Sequence, residues 1–148
     1  MSKYSIPLDF IGKIWLPDPI DNRHVVSDDK DYFLTLNESR LGLPDGRVII
    51  VPEGFKYDKA SVPRAVWWYI PRDDAQIEQA AKFHDWLYEN QKIEGEWMTR
   101  KEADQIFLKI LKSEGMRWSK RRMVYLAVRS GGWIGFNKLA KEIENPIA

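Results

Sequence analysis

Runs of β-branched and aromatic residues mark the first sixty positions, and a helical period takes over beyond them. The stretches 31–36 (DYFLTL) and 47–51 (RVIIV) are each bounded by turn-forming residues. That predicts short strands, because branched and aromatic side chains pack well on a pleated surface. Between them, Leu43-Pro44-Asp45-Gly46 joins a fixed proline φ to residues that tolerate tight turns, and predicts a hairpin connection. Pro52-Glu53-Gly54 makes a second turn into the short segment Phe55-Lys56-Tyr57-Asp58, and the Pro-Asp-Pro of 17–19 marks an irregular stretch.

After Asp58 the apolar positions repeat at helical spacing. Ser61, followed by Val62-Pro63, is expected to cap a short helix with its hydroxyl, since proline is tolerated in a first turn. This helix runs through Trp67-Trp68-Tyr69 and stops before Pro71. A second helix is predicted from about Ala75 to Gln91. A third begins at Thr99, where Glu102 completes a capping box, and ends near Gly115. A fourth starts around Ser119 and is expected to reach Lys141, with Gly131, Gly132 and Gly135 inside it. Helical glycines cost roughly 0.8–1 kcal/mol each, so these mark close packing of one backbone on another, or a kink. The chain has no repeat, low-complexity tract or linker. It reads as one α+β domain over 1–148: a small N-terminal antiparallel sheet to about residue 60, then a helical half from 61 in which an antiparallel helix pair carries a polar site.

That site emerges from projecting two helices at about 100° per residue. On the second helix Ile77, Ala80, Phe83, Leu87 and Tyr88 form one apolar stripe; His84 falls in its middle and Asp85 at its border. On the third, Ala103, Ile106, Phe107, Ile110 and Leu111 form the buried face, with Asp104 on its flank. The connection between the helices is short, which makes them an antiparallel pair. A late position on one then opposes an early position on the other, so His84 and Asp104 are expected to meet. A carboxylate beside an apolar face needs a partner, because desolvating it alone is very costly. An Asp partner also fixes the imidazole tautomer and raises its basicity. A hydrogen-bonded pair that merely pins two helices explains the same pattern. Asp85 adds a second carboxylate with no packing role, directed toward the Tyr57–Ser61 segment. Asp85, Asp58 and loop carbonyls suit a hard cation, and calcium takes ~6–8 oxygen ligands. Zinc is disfavoured, since without Cys it would need His84, carboxylates and the distant His24.

Composition narrows the partners. The 148 residues suffice for one packed domain. The formal net charge of +1 gives no global field to recruit nucleic acid or an anionic membrane, so such binding needs a local patch. The one dense basic cluster, Arg117-Trp118-Ser119-Lys120-Arg121-Arg122, could touch phosphates or nucleic acid, but such a run is usually a solvated helix face, so nucleic acid is not the expected partner. Cys is absent, which excludes disulfides and thiolate metal sites and fits a reducing compartment. The opening MSKYSIPLDF has no signal-peptide pattern, and no stretch approaches the ~20 apolar residues of a membrane span. A soluble protein, cytoplasmic in the cell that makes it, is expected.

Four strings in order, DKASVPRAVWW, FHDWLYENQ, TRKEADQIFLKIL and YLAVRSGGW, resemble a phage- and prophage-borne family of unknown function, DUF1353. The resemblance implies a phage or prophage origin, in the host cytoplasm or on the virion, rather than a reaction. More locally, a His-Asp pair with a following Tyr, and an Asp on the next antiparallel helix, looks like the phospholipase A2 site. That likeness implies His84 as the base, Asp104 as its orienting partner and Asp85 with the Asp58 loop as calcium ligands. The glycine-rich calcium loop and disulfides of those enzymes are lacking. Arg64 is a candidate for an anionic substrate group, Tyr88 for substrate contact, and Ser61 for a nucleophile if not a cap. Two classes follow. One is a phage-encoded, calcium-assisted hydrolase of an ester or related bond. The other is a non-catalytic virion, tail or host-interaction protein whose His/Asp cluster is structural. The partner is then an unknown substrate or a phage or host protein, and homo-oligomerisation is left open.

Overall fold

Gly46 takes φ +95°, a left-handed value that glycine adopts at no steric cost, and the chain turns there as the Pro-Asp-Gly sequence predicts. Leu43 N–H donates to Arg47 O at 2.8 Å and Gly46 N–H to Leu43 O at 3.0 Å. Asp45 accepts from Arg47 Nε at 2.8 Å, a contact that holds its carboxyl below the usual range. The computed structural model describes residues 13–16, 22–26, 31–57, 62–68, 70 and 74–131. Its elements are β1 (Asn22–Val26), β2 (Asp31–Thr35), β3 (Ser39–Gly42), β4 (Val48–Val51), β5 (Lys56–Tyr57), α1 (Arg64–Trp67), α2 (Ala75–Asn90), β6 (Lys92–Ile93), β7 (Glu96–Trp97), α3 (Arg100–Ser113) and α4 (Trp118–Gly131). Small antiparallel sheets precede a helical half, the expected α+β arrangement. The chain divides into two units, Met1–Asp58 with Lys92–Glu96, and Lys59–Gln91 with Trp97–Ala148.

In the first unit the predicted strands exist, but they do not pair with each other as a simple hairpin. β4 pairs instead with β3, whose Ser-Arg-Leu-Gly sequence carries little strand signal, and Leu41 lies opposite Ile49. β2 lies between β1 and β5 in a separate three-stranded antiparallel sheet. Phe33 of β2 faces Tyr57 of β5, and their rings stack at 5.6 Å. Thr35 ends β2 with its Oγ1 donating to Pro52 O and accepting from Phe55 N–H, both at 2.8 Å. One hydroxyl therefore pins the Pro-Glu-Gly turn to the sheet.

The second unit is helical. α1 starts at Arg64 behind Pro63, which occupies the cap position without a side-chain hydrogen bond. The expected cap, Ser61, lies outside the described residues. Asp74 caps α2 through Gln76 N–H, and Gln91 ends it in the left-handed region at φ 59°. Thr99 accepts from Glu102 N–H at 3.1 Å, as the capping-box sequence predicts. Gly115 at φ +84° turns α3 into α4, with Met116 N–H donating to Leu111 O. A Cβ added at Gly131 would lie 3.0 Å from Pro63 Cγ, so this glycine marks the close packing expected of it. Gly132, Gly135 and the remaining stretch to Lys141 lie outside the described residues.

α2 and α3 run antiparallel: Gly115 approaches Gln76, Phe107 packs on His84, and Asp104 meets Tyr88. The predicted stripe is buried, and burial extends beyond it: every residue from Ile77 to Tyr88 except Trp86 is buried. Glu78, Gln79, Lys82 and Asp85 are buried with the apolar stripe.

Candidate functional site

The side chains of His84 and Asp104 are both fully buried, and His84 Nε2 lies 2.7 Å from Asp104 Oδ1. Tyr88, one turn further along α2, donates its hydroxyl to the same oxygen at 2.6 Å. This follows from helical spacing, since positions i and i+4 share a face. The other oxygen, Oδ2, accepts from Arg129 Nη1 at 2.7 Å and from Arg100 Nη1 at 3.4 Å. Arg100 also donates to the carbonyl of Arg129 at 3.1 Å. Side chains from α2, α3 and α4 thus converge on one carboxylate, which balances its desolvation with charge-assisted hydrogen bonds.

Two rings lie against the imidazole: Phe107, with ring centroids 4.8 Å apart, and Tyr88, at 4.1 Å. Burial holds the His84 pKa below its usual value, against the opposing pull of Asp104. Burial also pushes Asp104 upward, but hydrogen bonds from His84, Tyr88 and Arg129 outweigh it and leave the carboxyl below its ordinary range. Tyr88 is raised, first by burial and then by Asp104, and stays a phenol. At neutral pH the cluster is therefore a neutral imidazole donating Nε2–H to an ionised carboxylate. The linkage has a definite sign. A lowered folded pKa means that the unfolded chain binds more protons, so His84's contribution is complete above its ordinary value of 6.5 and is lost as pH falls below it.

The structure brings together His84, Asp104 and Tyr88 of the predicted residues. Tyr88 is only 3% exposed and its hydroxyl is engaged by Asp104, so its role moves from substrate contact to the support of that carboxylate. Asp85 is buried on α2, about 100° around the helix from His84. Asp58 and Ser61 lie outside the described residues. Among the described residues no group of three His, Asp or Glu side chains is arranged to hold a metal ion. Arg64 is exposed at the start of α1 and joins no hydrogen bond or ion pair among the described residues. Sequence reasoning missed Arg100 and Arg129. The first had a signal, four residues before Asp104 on one helix face; the second, on another helix, had none. It also missed Lys82, a fully buried lysine whose Nζ sits 5.1 Å from the centroid of the Phe83 ring.

A family model described as protein of unknown function (DUF1353) matches residues 36–128, from just after β2 into the last turn of α4. That is more than half of the chain and contains the whole cluster except Arg129. The chain belongs to the DUF1353 family. No curated protein and no solved structure matches it, so the local likeness to phospholipase A2 gains no support from relatives. No helix among the described residues is long and apolar enough to cross a membrane.

Proposed function

We propose that this DUF1353 protein is a hydrolase of an ester or related bond, with His84 as general base and Asp104 as the residue that orients it. The observation that carries the reading is the 2.7 Å contact between His84 Nε2 and a carboxylate gripped by two arginines. Both side chains are fully buried, so this reading requires the site to open before a substrate reaches the imidazole. Groups with shifted pKa values gather where proton transfer is done. With Nε2–H donated to Asp104, Nδ1 is the nitrogen left to act as base. The ring is fully buried and Nδ1 has a partner in the closed fold, so the site must open before Nδ1 takes a proton from water as the water oxygen adds to the carbonyl carbon. Asp104 stabilises the imidazolium, which then protonates the departing alkoxide and returns to neutral. Arg100 and Arg129 keep Asp104 ionised throughout, and Tyr88 steadies its oxygen.

Calcium is the candidate cofactor. Asp85 would be one of its ligands, and it would supply electrophilic polarisation of the carbonyl. Asp85 alone is one ligand of the ~6–8 required, and the steps above belong to the chain's own residues. The phage or prophage setting, in the host cytoplasm or on the virion, is part of the same proposal.

A second reading rests on the burial of both side chains: the cluster is a polar brace, and the protein is a non-catalytic virion, tail or host-interaction component. Reactivity separates the two. The chain has two histidines, so His24→Gln leaves His84 alone to react with diethyl pyrocarbonate. Carbethoxylation of the folded protein, with p-nitrophenyl ester hydrolysis reduced about 10²–10⁴-fold in His84→Gln, is expected of the base. Modification only after unfolding, with no His84-dependent hydrolysis, leaves the brace.

A further inference from the structure

α4 keeps large apolar side chains outside the packed unit. Only Val124 and Val128 of its residues are buried, whereas Trp118, Met123 and Leu126 are 67%, 55% and 58% exposed. At 100° per residue, Trp118, Arg122, Leu126 and Met123 fall within one arc of about 140°, opposite Val124 and Val128. Each of the three costs free energy by facing water, so a shared face of them points to an interaction.

Charge identifies what that face meets. Residues 109–131 hold seven Lys or Arg and one acidic residue, Glu114, in a chain whose net charge is only +1. Burial pushes even Glu114 toward its neutral form. Some cations are already engaged: Arg129 on Asp104, Arg121 on the Met116 carbonyl, and Lys120 near Asp74 at 3.7 Å. Arg117 and Arg122 are exposed, and among the described residues neither makes an ion pair. Arg122 lies over the Trp118 ring at 5.9 Å. An indole with one guanidinium over it, a further exposed arginine just before the helix, and aliphatic side chains on the outward arc are the makeup of a helix that lies in a membrane interface.

We infer that the outer face of α4 docks on an anionic lipid bilayer, with Trp118, Met123 and Leu126 entering the headgroup boundary and Arg117 and Arg122 meeting lipid phosphates. This is surface association, compatible with the absence of a spanning helix among the described residues. A second copy of the chain fits worse, because a two-fold contact would press this basic face against its own like charges. A nucleic acid would use Trp118 and the arginines but leave Met123 and Leu126 without a role. The local patch also resolves why a chain with almost no net charge can still seek an anionic surface.

The test is co-sedimentation of the full chain with vesicles of phosphatidylcholine, alone or mixed with phosphatidylglycerol. Binding to the mixed vesicles only, weakened as salt rises from about 0.05 to about 0.5 M, is expected. Each basic residue near such a surface contributes roughly fivefold, so Arg117→Gln with Arg122→Gln should weaken binding about 25-fold. Leu126→Ser and Trp118→Ser should each weaken it while leaving the melting curve unchanged, as these side chains pack against little. Equal partition to neutral vesicles, or no loss in the paired arginine variant, would overturn the inference. So would binding of a single-stranded oligonucleotide without vesicle binding, or a dimer in sedimentation velocity that Leu126→Ser dissolves.

Discussion

Asp104→Asn should lose about 3–5 kcal/mol of unfolding free energy, the usual consequence of breaking a buried pair from one side. Four donors point at this carboxylate: His84 Nε2–H, Tyr88 Oη–H and the guanidinium groups of Arg129 and Arg100. An amide offers one acceptor oxygen and one NH₂ donor. Whichever way the substituted amide turned, its NH₂ would face either the His84–Tyr88 pair or the two arginines, donor against donor. The two cations would also lose their counter-charge. Urea unfolding at pH 7 reads the effect, and a loss below about 1 kcal/mol, the level of an exposed ion pair, would mean that water reaches this carboxylate.

The second large effect comes from the ring that seals the imidazole. Phe107 is fully buried, and truncation of such a residue to Ala typically costs about 3–5 kcal/mol through lost transfer energy and the cavity left behind. Phe107→Ala should do more than destabilise. Burial is the leading cause of the lowered His84 pKa, so opening a space beside the ring should raise that pKa toward its ordinary value. A stable variant with an unmoved His84 titration would place the cause of the shift elsewhere.

Much of this cluster could be read from the sequence because helix geometry is regular. His84 in the middle of an apolar stripe and Asp104 beside another, on helices joined by a short connection, leave few places for either to go. The Thr99–Glu102 cap and the Pro44-Asp45-Gly46 turn were legible for the same reason: each is satisfied within a few residues. What stayed hidden depends on neighbours distant in sequence. Arg129 reaches Asp104 across 25 positions. β3 is a strand because it pairs with β4, not because of its own Ser-Arg-Leu-Gly composition. The burial of Lys82 and Glu78 contradicts the helical pattern itself, since polarity at those positions predicts an exposed face. The glycines fell between these cases, for Gly131 was legible as a close contact while its partner, Pro63, was not.

The most direct test of His84 as a neutral base oriented by Asp104 is nitrogen-15 NMR of the imidazole in the His24→Gln protein, followed from about pH 8 downward across the ordinary imidazole range. At neutral pH an uncharged ring carrying its proton on Nε2 is expected. Protonation should begin only below 6.5, with unfolding free energy falling over the same range because the unfolded chain takes up the proton first. A ring already charged at neutral pH, or a neutral ring with its proton on Nδ1, would contradict the assignment.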